Sequence, residues 1–257
     1  MIRGMYAATA GMMTMLSRVQ TISNNLANAD TNGFKEDTLR VTTFPQQLMA
    51  RLFSGGGIAS IGGASMGVVN ESVSIRLSQA SLKSTDSPLD VALQGPGFFS
   101  VQTAQGVRYT RDGSFRRDGN NQLVTSQGDL VLSAAGTPIT LPLGRVSILA
   151  DGQVRVASDA QPDVDQPVGQ LGVTEFTQPQ QLKKLGSNLF EDPNNLAQPN
   201  PGTLSTVHQG FLEGSNVDPA RSMSDLMVAQ RSYESSFKMV QLQDEMTSRA
   251  VSEVGRL

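Results

Sequence analysis

The stretch SNNLANADTNGFK, Ser23 to Lys35, ends one kind of structure and begins another. Before it the sequence has helical periodicity. Asn24, Asn25 and Asn28 then lead into a polar turn, and Asn32-Gly33 supplies the pair that most readily takes left-handed backbone angles after a helix. From there to about Asp218 the chain reads as loop and strand, and a second long helix closes it.

Upstream, Met5, Ala8, Met12, Met15, Val19, Ile22 and Leu26 recur at alternating spacings of 3 and 4, an apolar seam of the coiled-coil kind. An amphipathic helix on its own core would carry charges opposite that seam. Here Arg3 and Arg18 are the only charged side chains before Asp30, and the rest of the circumference is Ala, Gly, Ser, Thr, Gln and Asn. The spacing therefore predicts a helix enclosed by other protein. Arg3, the run Gly4 to Leu16 and Ala27-Asn28-Ala29 imitate a cleavable signal peptide. Arg18 and Gln20 interrupt the apolar run, however, and the seam continues through them to Leu26, which favours a retained helix. The run is also shorter than the about 20 apolar residues that a membrane span needs.

Downstream, Phe44-Pro45 opens an expected short helix, QQLMARLF, and the glycine-rich Ser54 to Gly67 reads as a flexible connecting segment. It lacks the Gly-Lys-Ser/Thr of a phosphate-binding loop. Beyond it, alternating runs predict strands at 73–77, 89–93, 146–149, 154–156 and 168–176. Turn residues punctuate them at Gly95-Pro96-Gly97, Asp112-Gly113, Asp118-Gly119-Asn120-Asn121, Gln127-Gly128-Asp129 and Asp151-Gly152. This pattern implies a compact antiparallel sandwich or barrel. A helical turn is expected at Pro179 to Leu185, stopped by Gly186.

The closing helix starts at an N-cap, Asp218, with Pro219 in the favoured first position, and Gly255 can end it. Its apolar face runs Met223, Leu226, Tyr233, Phe237 and Val240, then drifts through Met239, Leu242, Met246 and Ala250. Acid–base pairs four apart (Arg221 with Asp225, Glu234 with Lys238, Glu245 with Arg249) leave one face wet.

Together these signals predict a mixed fold: a mainly antiparallel β central domain flanked by long N- and C-terminal α-helices that pair as a coiled coil. Residues 1–35 with 214–257 form the helical part, 36–70 the glycine-rich connection and 71–213 the β-rich domain. The expected assembly interface comprises Met5, Met12, Met15, Val19, Ile22, Asn24, Asn25, Leu26, Asn28 and Gly33, with Met223, Leu226, Tyr233, Phe237 and Val240.

The bounds on function are mostly exclusions. With 257 residues the chain is long enough for a real core, and a formal charge of −3 gives no basic field for nucleic acid or an anionic membrane. Cysteine is absent, so there is no thiolate nucleophile or disulfide framework. His208 is the single histidine and no serine sits in a Gly-x-Ser-x-Gly elbow. Asp118, Asn120 and Gln122 start like a calcium loop, but Leu123 stands where glycine is needed and Asp129 where the loop ends in glutamate. We therefore expect no cofactor, metal or catalytic group, with a pair of converging carboxylates left open.

Five motifs add a family. Asn24-Asn-Leu-Ala-Asn with Thr31-Asn-Gly-Phe-Lys, Ser87-Pro-Leu-Asp-Val-Ala-Leu-Gln-Gly-Pro-Gly-Phe-Phe, Tyr109-Thr-Arg-Asp-Gly-Ser-Phe, Gly210-Phe-Leu-Glu-Gly-Ser-Asn-Val and Ala229-Gln-Arg-Ser-Tyr-Glu resemble, in order, those of the bacterial flagellar rod and hook proteins. The length and compact middle are most like the basal-body rod subunits, the distal-rod type especially. The resemblance implies a non-enzymatic axial subunit that transmits torque from motor to hook, its partners copies of itself, other rod and hook subunits and the flagellar type III export apparatus. It implies export in the unfolded state without signal cleavage to an extracytoplasmic basal body, helices in the inner tube and the β domain outside. Asn24, Asn25, Asn28 and Gly33 would then set the exit from the helical layer. The competing reading is a secreted adhesive or carbohydrate-active β protein with dispensable helices.

Overall fold

Helix α1 (Ile2–Ala27) ends inside the stretch quoted above, and helix α2 (Pro219–Val254) closes the chain. The computed structural model describes residues 2–43, 47–52, 58–64, 68–157, 165–194, 197–199 and 205–254. It divides into two units, the first made of Met1–Ala27, Asp37–Ser74 and Asp218–Leu257, the second of Asn28–Glu36 and Ile75–Val217. The backbone thus changes unit at 27/28, 36/37, 74/75 and 217/218.

In the first unit α1 and α2 pack against each other. Asp218 caps α2 as its sequence requires, its Oδ1 accepting the N–H groups of Ala220 (3.0 Å) and Arg221 (3.2 Å). Strands β1 (Asp37–Thr43), β2 (Gln47–Leu52), β3 (Ile58–Ala64) and β4 (Val68–Ile75) belong here, β1 pairing with β4 and β2 antiparallel with β3. The short helix expected at QQLMARLF is therefore corrected: Gln47–Leu52 is extended. Cross-strand backbone pairing from Gln47↔Ala64 to Leu52↔Ile58 overrides the local helix preference. Part of the glycine-rich run is thereby strand, while 53–57 and 65–67 lie outside the described residues, as does Gly255 beyond α2.

The second unit is built of short strands: β5 (Leu82–Ser84), β6 (Val91–Gln94), β7 (Phe98–Thr103), β8 (Gly106–Thr110), β9 (Arg116–Arg117), β10 (Leu123–Val124) and β11 (Leu130–Val131). There follow β12 (Arg145–Ile148), β13 (Gln153–Ala157), β14 (Asp165–Gln170), β15 (Val173–Phe176), β16 (Lys183–Gly186), β17 (Leu189–Glu191), β18 (Ala197–Pro199), β19 (Thr206–Gln209) and β20 (Phe211–Glu213). The main sheet runs β16-β17-β8-β7-β11-β10-β9, with β15 joined to β7 and β18. β12-β13-β14 forms a second sheet, and β19-β6 and β20-β5 form two-stranded pairs. All registered pairs are antiparallel.

Two further expectations are corrected. The single strand read at 168–176 is two, because the chain changes sheets at Leu171-Gly172. There Gly172 donates to Leu132 O (2.9 Å) and a Cβ would stand 2.8 Å from the carbonyls of Leu132 and Ser133. The turn at 179–185 is a short 3₁₀ turn, Pro179–Gln181, followed directly by β16.

β7 organises the core because adjacent strand residues face opposite ways. Phe99 enters the larger cluster, with Val91, Leu93, Val101, Phe115 and Leu141, while Phe98 enters a second with Phe176, Leu182 and Phe190. Phe98 meets Phe176 and Phe190 edge-on at 5.5 and 5.3 Å, and Tyr109 meets Phe176 at 4.9 Å. Each such buried ring contributes about 2 kcal/mol by burial.

Candidate functional site

Two features stand out, one in each unit. In the helical unit, Met12, Met15, Val19, Ile22, Leu26, Leu226, Tyr233 and Val240 are half-buried, so the seam residues lie partly covered. Met5, Met223 and Phe237 are exposed, and Met13, Met227, Val228, Met239, Leu242 and Met246 add further uncovered apolar surface. The rings of Tyr233 and Phe237 stack at 6.5 Å. Arg221–Asp225 and Glu245–Arg249 close as ion pairs on the outer face of α2.

The helix hydroxyls are satisfied inside their own turns. Thr9, Thr14, Ser17 and Thr21 donate to the carbonyls of Met5, Ala10, Met13 and Ser17 at 2.8–3.1 Å. Ser224, Ser232, Ser236 and Thr247 do the same in α2. Such back-bonding removes the donor's need for water.

Of the asparagines, Asn24 is exposed and Asn25 is buried. The Asn25 amide acts as a substitute strand, its Oδ1 accepting Asp37 N–H at 2.9 Å and its Nδ2 donating to Asp37 O at 2.8 Å. Asn28 is half-buried and ties the turn, accepting from Thr31 Oγ1 at 3.2 Å. Gly33 has φ of +69° and is buried, with the Asp112 nitrogen 2.5 Å from where a Cβ would stand. Asn25 and Gly33 thus set the geometry of this chain from inside it.

In the second unit the turn delivers Lys35 into a buried ion cluster that sequence reasoning did not anticipate. Lys35 Nζ lies 2.6 Å from Glu213 Oε1 and donates to Ser78 O at 3.0 Å. Arg111 Nη1 reaches Glu213 Oε2 at 3.3 Å, Nη2 donates to Gly95 O at 2.7 Å, and the guanidinium lies 4.8 Å over the Phe98 ring. Lys35, Arg111 and Glu213 are 0%, 2% and 1% exposed, so all three charges are out of water. Burial pulls the Lys35 ammonium and the Arg111 guanidinium below their ordinary pKa values, and Glu213 opposes both shifts. Burial also raises the Tyr109 phenol, with Asp192 adding to it.

Glu213 spends its other acceptors on backbone. Oε1 takes Ala80 N–H at 2.9 Å, and its carbonyl takes Gly33 N–H at 2.7 Å. Nearby, Asn216 Oδ1 accepts Glu36 N–H at 2.7 Å while its Nδ2 donates to Arg76 O, also at 2.7 Å. Segments 33–36, 76–80 and 213–216 are stitched together side chain to backbone.

His208 bonds Gln94 Oε1 at 2.9 Å through its ring and meets Phe211 edge-on. Among the described residues no three His, Asp or Glu side chains converge as metal ligands, and no helix is long and apolar enough to cross a membrane.

The fold combines a pair of packed terminal helices that keep apolar side chains exposed with an antiparallel β unit. Comparison with known proteins names the family. Residues 5–35 match the family model "Flagella basal body rod protein", residues 92–156 the "Flagellar hook protein FlgE/F/G D1 domain", and residues 208–253 the "Flagellar basal body rod FlgEFG protein C-terminal". The chain is 33% identical to the flagellar basal-body rod protein FlgG of Bacillus subtilis over 98% of its length and 99% of that relative. It is 34% identical to FlgF of Caulobacter vibrioides over the full length of both chains, and 32% identical, again end to end, to the hook-basal body complex protein FlhO of Bacillus subtilis. The chain belongs to the flagellar basal-body rod protein family, a family of structural proteins.

Each of the three matched regions supplies one member of the ion cluster: Lys35, Arg111 and Glu213. The signal that could have found the cluster is that each of its three charges falls within a recognised motif.

Proposed function

We propose that this chain is a structural subunit of the bacterial flagellar basal-body rod, joined through its terminal helices to copies of itself and to other rod and hook subunits. In this reading the two helices pair as a coiled coil and stack into a helical tube that carries torque from motor to hook. The chain reaches its extracytoplasmic position through the flagellar export apparatus without losing a signal segment.

The observation that carries the reading is the apolar surface left on α1 and α2 after they have packed on each other. Exposed apolar faces of this kind mark protein interaction sites. An offset, head-to-tail contact between such faces generates a filament. The back-bonded hydroxyls support the same reading, because they let the helices be enclosed without leaving buried polar groups unsatisfied.

Electron cryotomography of basal bodies in cells lacking the gene, beside a motility assay, tests the proposal. A rod truncated below the hook is the expected result. Intact flagella with normal swimming would refute an indispensable axial role.

A further inference from the structure

We infer that Glu213 is the closing latch of the second unit: the C-terminal return strand β20 carries the single carboxylate that touches two buried cations supplied from elsewhere in the chain. This inference concerns how the isolated chain completes itself and does not require the rod function.

The geometry leaves little freedom in the assignment. Lys35 and Glu213 are separated by 178 residues, and Arg111 by 102 residues from Glu213. Glu213 bonds both cations, the backbone of Ala80 and, through its own carbonyl, the backbone of Gly33. Backbone pairing of β20 with β5, Phe211↔Ser84 to Glu213↔Leu82, brings the carboxylate in. Among the described residues Glu175 is the other acid felt by Arg111, but the guanidinium's ion pair is with Glu213, and the Glu175 carboxylate accepts from Ser205 Oγ at 2.9 Å. Until β20 docks, Lys35 and Arg111 face an apolar interior without a bonded anion, a state that strongly disfavours closure. Residues 28–36 therefore cannot be locked into the unit before the chain has been supplied as far as Glu213. Completion is tied to the far end of the sequence.

Hydrogen–deuterium exchange on the full-length monomer tests this. In Glu213→Gln, amides of 28–36 and 78–84 should exchange about 100-fold faster or more, and by a larger factor than those of β12 and β13, which supply none of the cluster's bonds. The double variant Lys35→Met/Glu213→Gln removes one of the two unpaired cations and should regain much of the lost protection at 28–36. Unchanged exchange in Glu213→Gln overturns the latch, as does acceleration spread evenly from 28–36 to β13, which would make Glu213 an ordinary stabilising residue. If Glu213→Gln does not fold, the double variant decides. A folded double variant supports charge closure, and an unfolded one overturns it.

Discussion

The two units bury different things. In the β unit Phe98, Phe99, Phe190, Leu93, Leu123 and Leu141 are sealed, and even its deepest charges are paired. In the helical unit the residues whose burial is described as near complete are Thr14, Asn25, Ser222 and Ala229, none of them a large apolar side chain. Apolar burial is the main favourable term in folding, and helices draw most of their stability from packing. One unit thus holds its stability within itself. The other leaves much of the apolar surface of its helices uncovered.

That contrast can be broken experimentally, and the severest test is a cut. A piece spanning 71–212, the natural choice if the β region is self-contained in sequence, lacks both Lys35 and Glu213. It should lose cooperative urea unfolding altogether, whereas 28–217, which keeps both, should retain it. Next comes a comparison of ion pairs. Glu213→Ala should cost about 3–5 kcal/mol in a urea melt because two cations are left buried. Arg249→Ala, which breaks an exposed pair on α2, should cost about 0.3–0.5 kcal/mol.

Gly33→Ala places a Cβ against the Asp112 backbone at positive φ, and we expect a loss of about 2 kcal/mol in the same melt. The smallest effect on the isolated chain, and the sharpest division between the units, belongs to Phe237→Asp. Its ring is 44% exposed, so monomer stability should change by no more than about 0.5 kcal/mol. Incorporation into rods, scored by motility and by subunit content of purified basal bodies, should nevertheless be lost. Normal incorporation would show that this face of α2 is idle.

Much of this architecture was legible because its signals are local. The alternation of 3 and 4 from Met5 to Leu26 and the Asp218-Pro219 start gave both helices, and Asp-Gly and Gly-Pro pairs gave the turns between strands. Gln47–Leu52 misled because a strand without strong local preference is set by its partner, and Ile58–Ala64 is a glycine-rich partner that itself reads as loop. The split at Gly172 was hidden for a related reason, since a continuous alternating run does not say when the chain will change sheets. The ion cluster was least legible of all. Lys35, Arg111 and Glu213 each look like a surface charge beside a turn, and no window of sequence contains two of them. The sequence marks Asn25 and Gly33 as residues that shape the exit from α1; in the structure both are buried, and Asn25 is clamped on Asp37 of its own chain.

The hydroxyls of α1 have one more consequence. Because Thr9, Thr14, Ser17 and Thr21 are already committed to carbonyls one turn back, these four positions offer a neighbour methyl and methylene groups rather than directional donors. A surface read by shape alone tolerates small changes of register and rotation that a hydrogen-bonded code would reject.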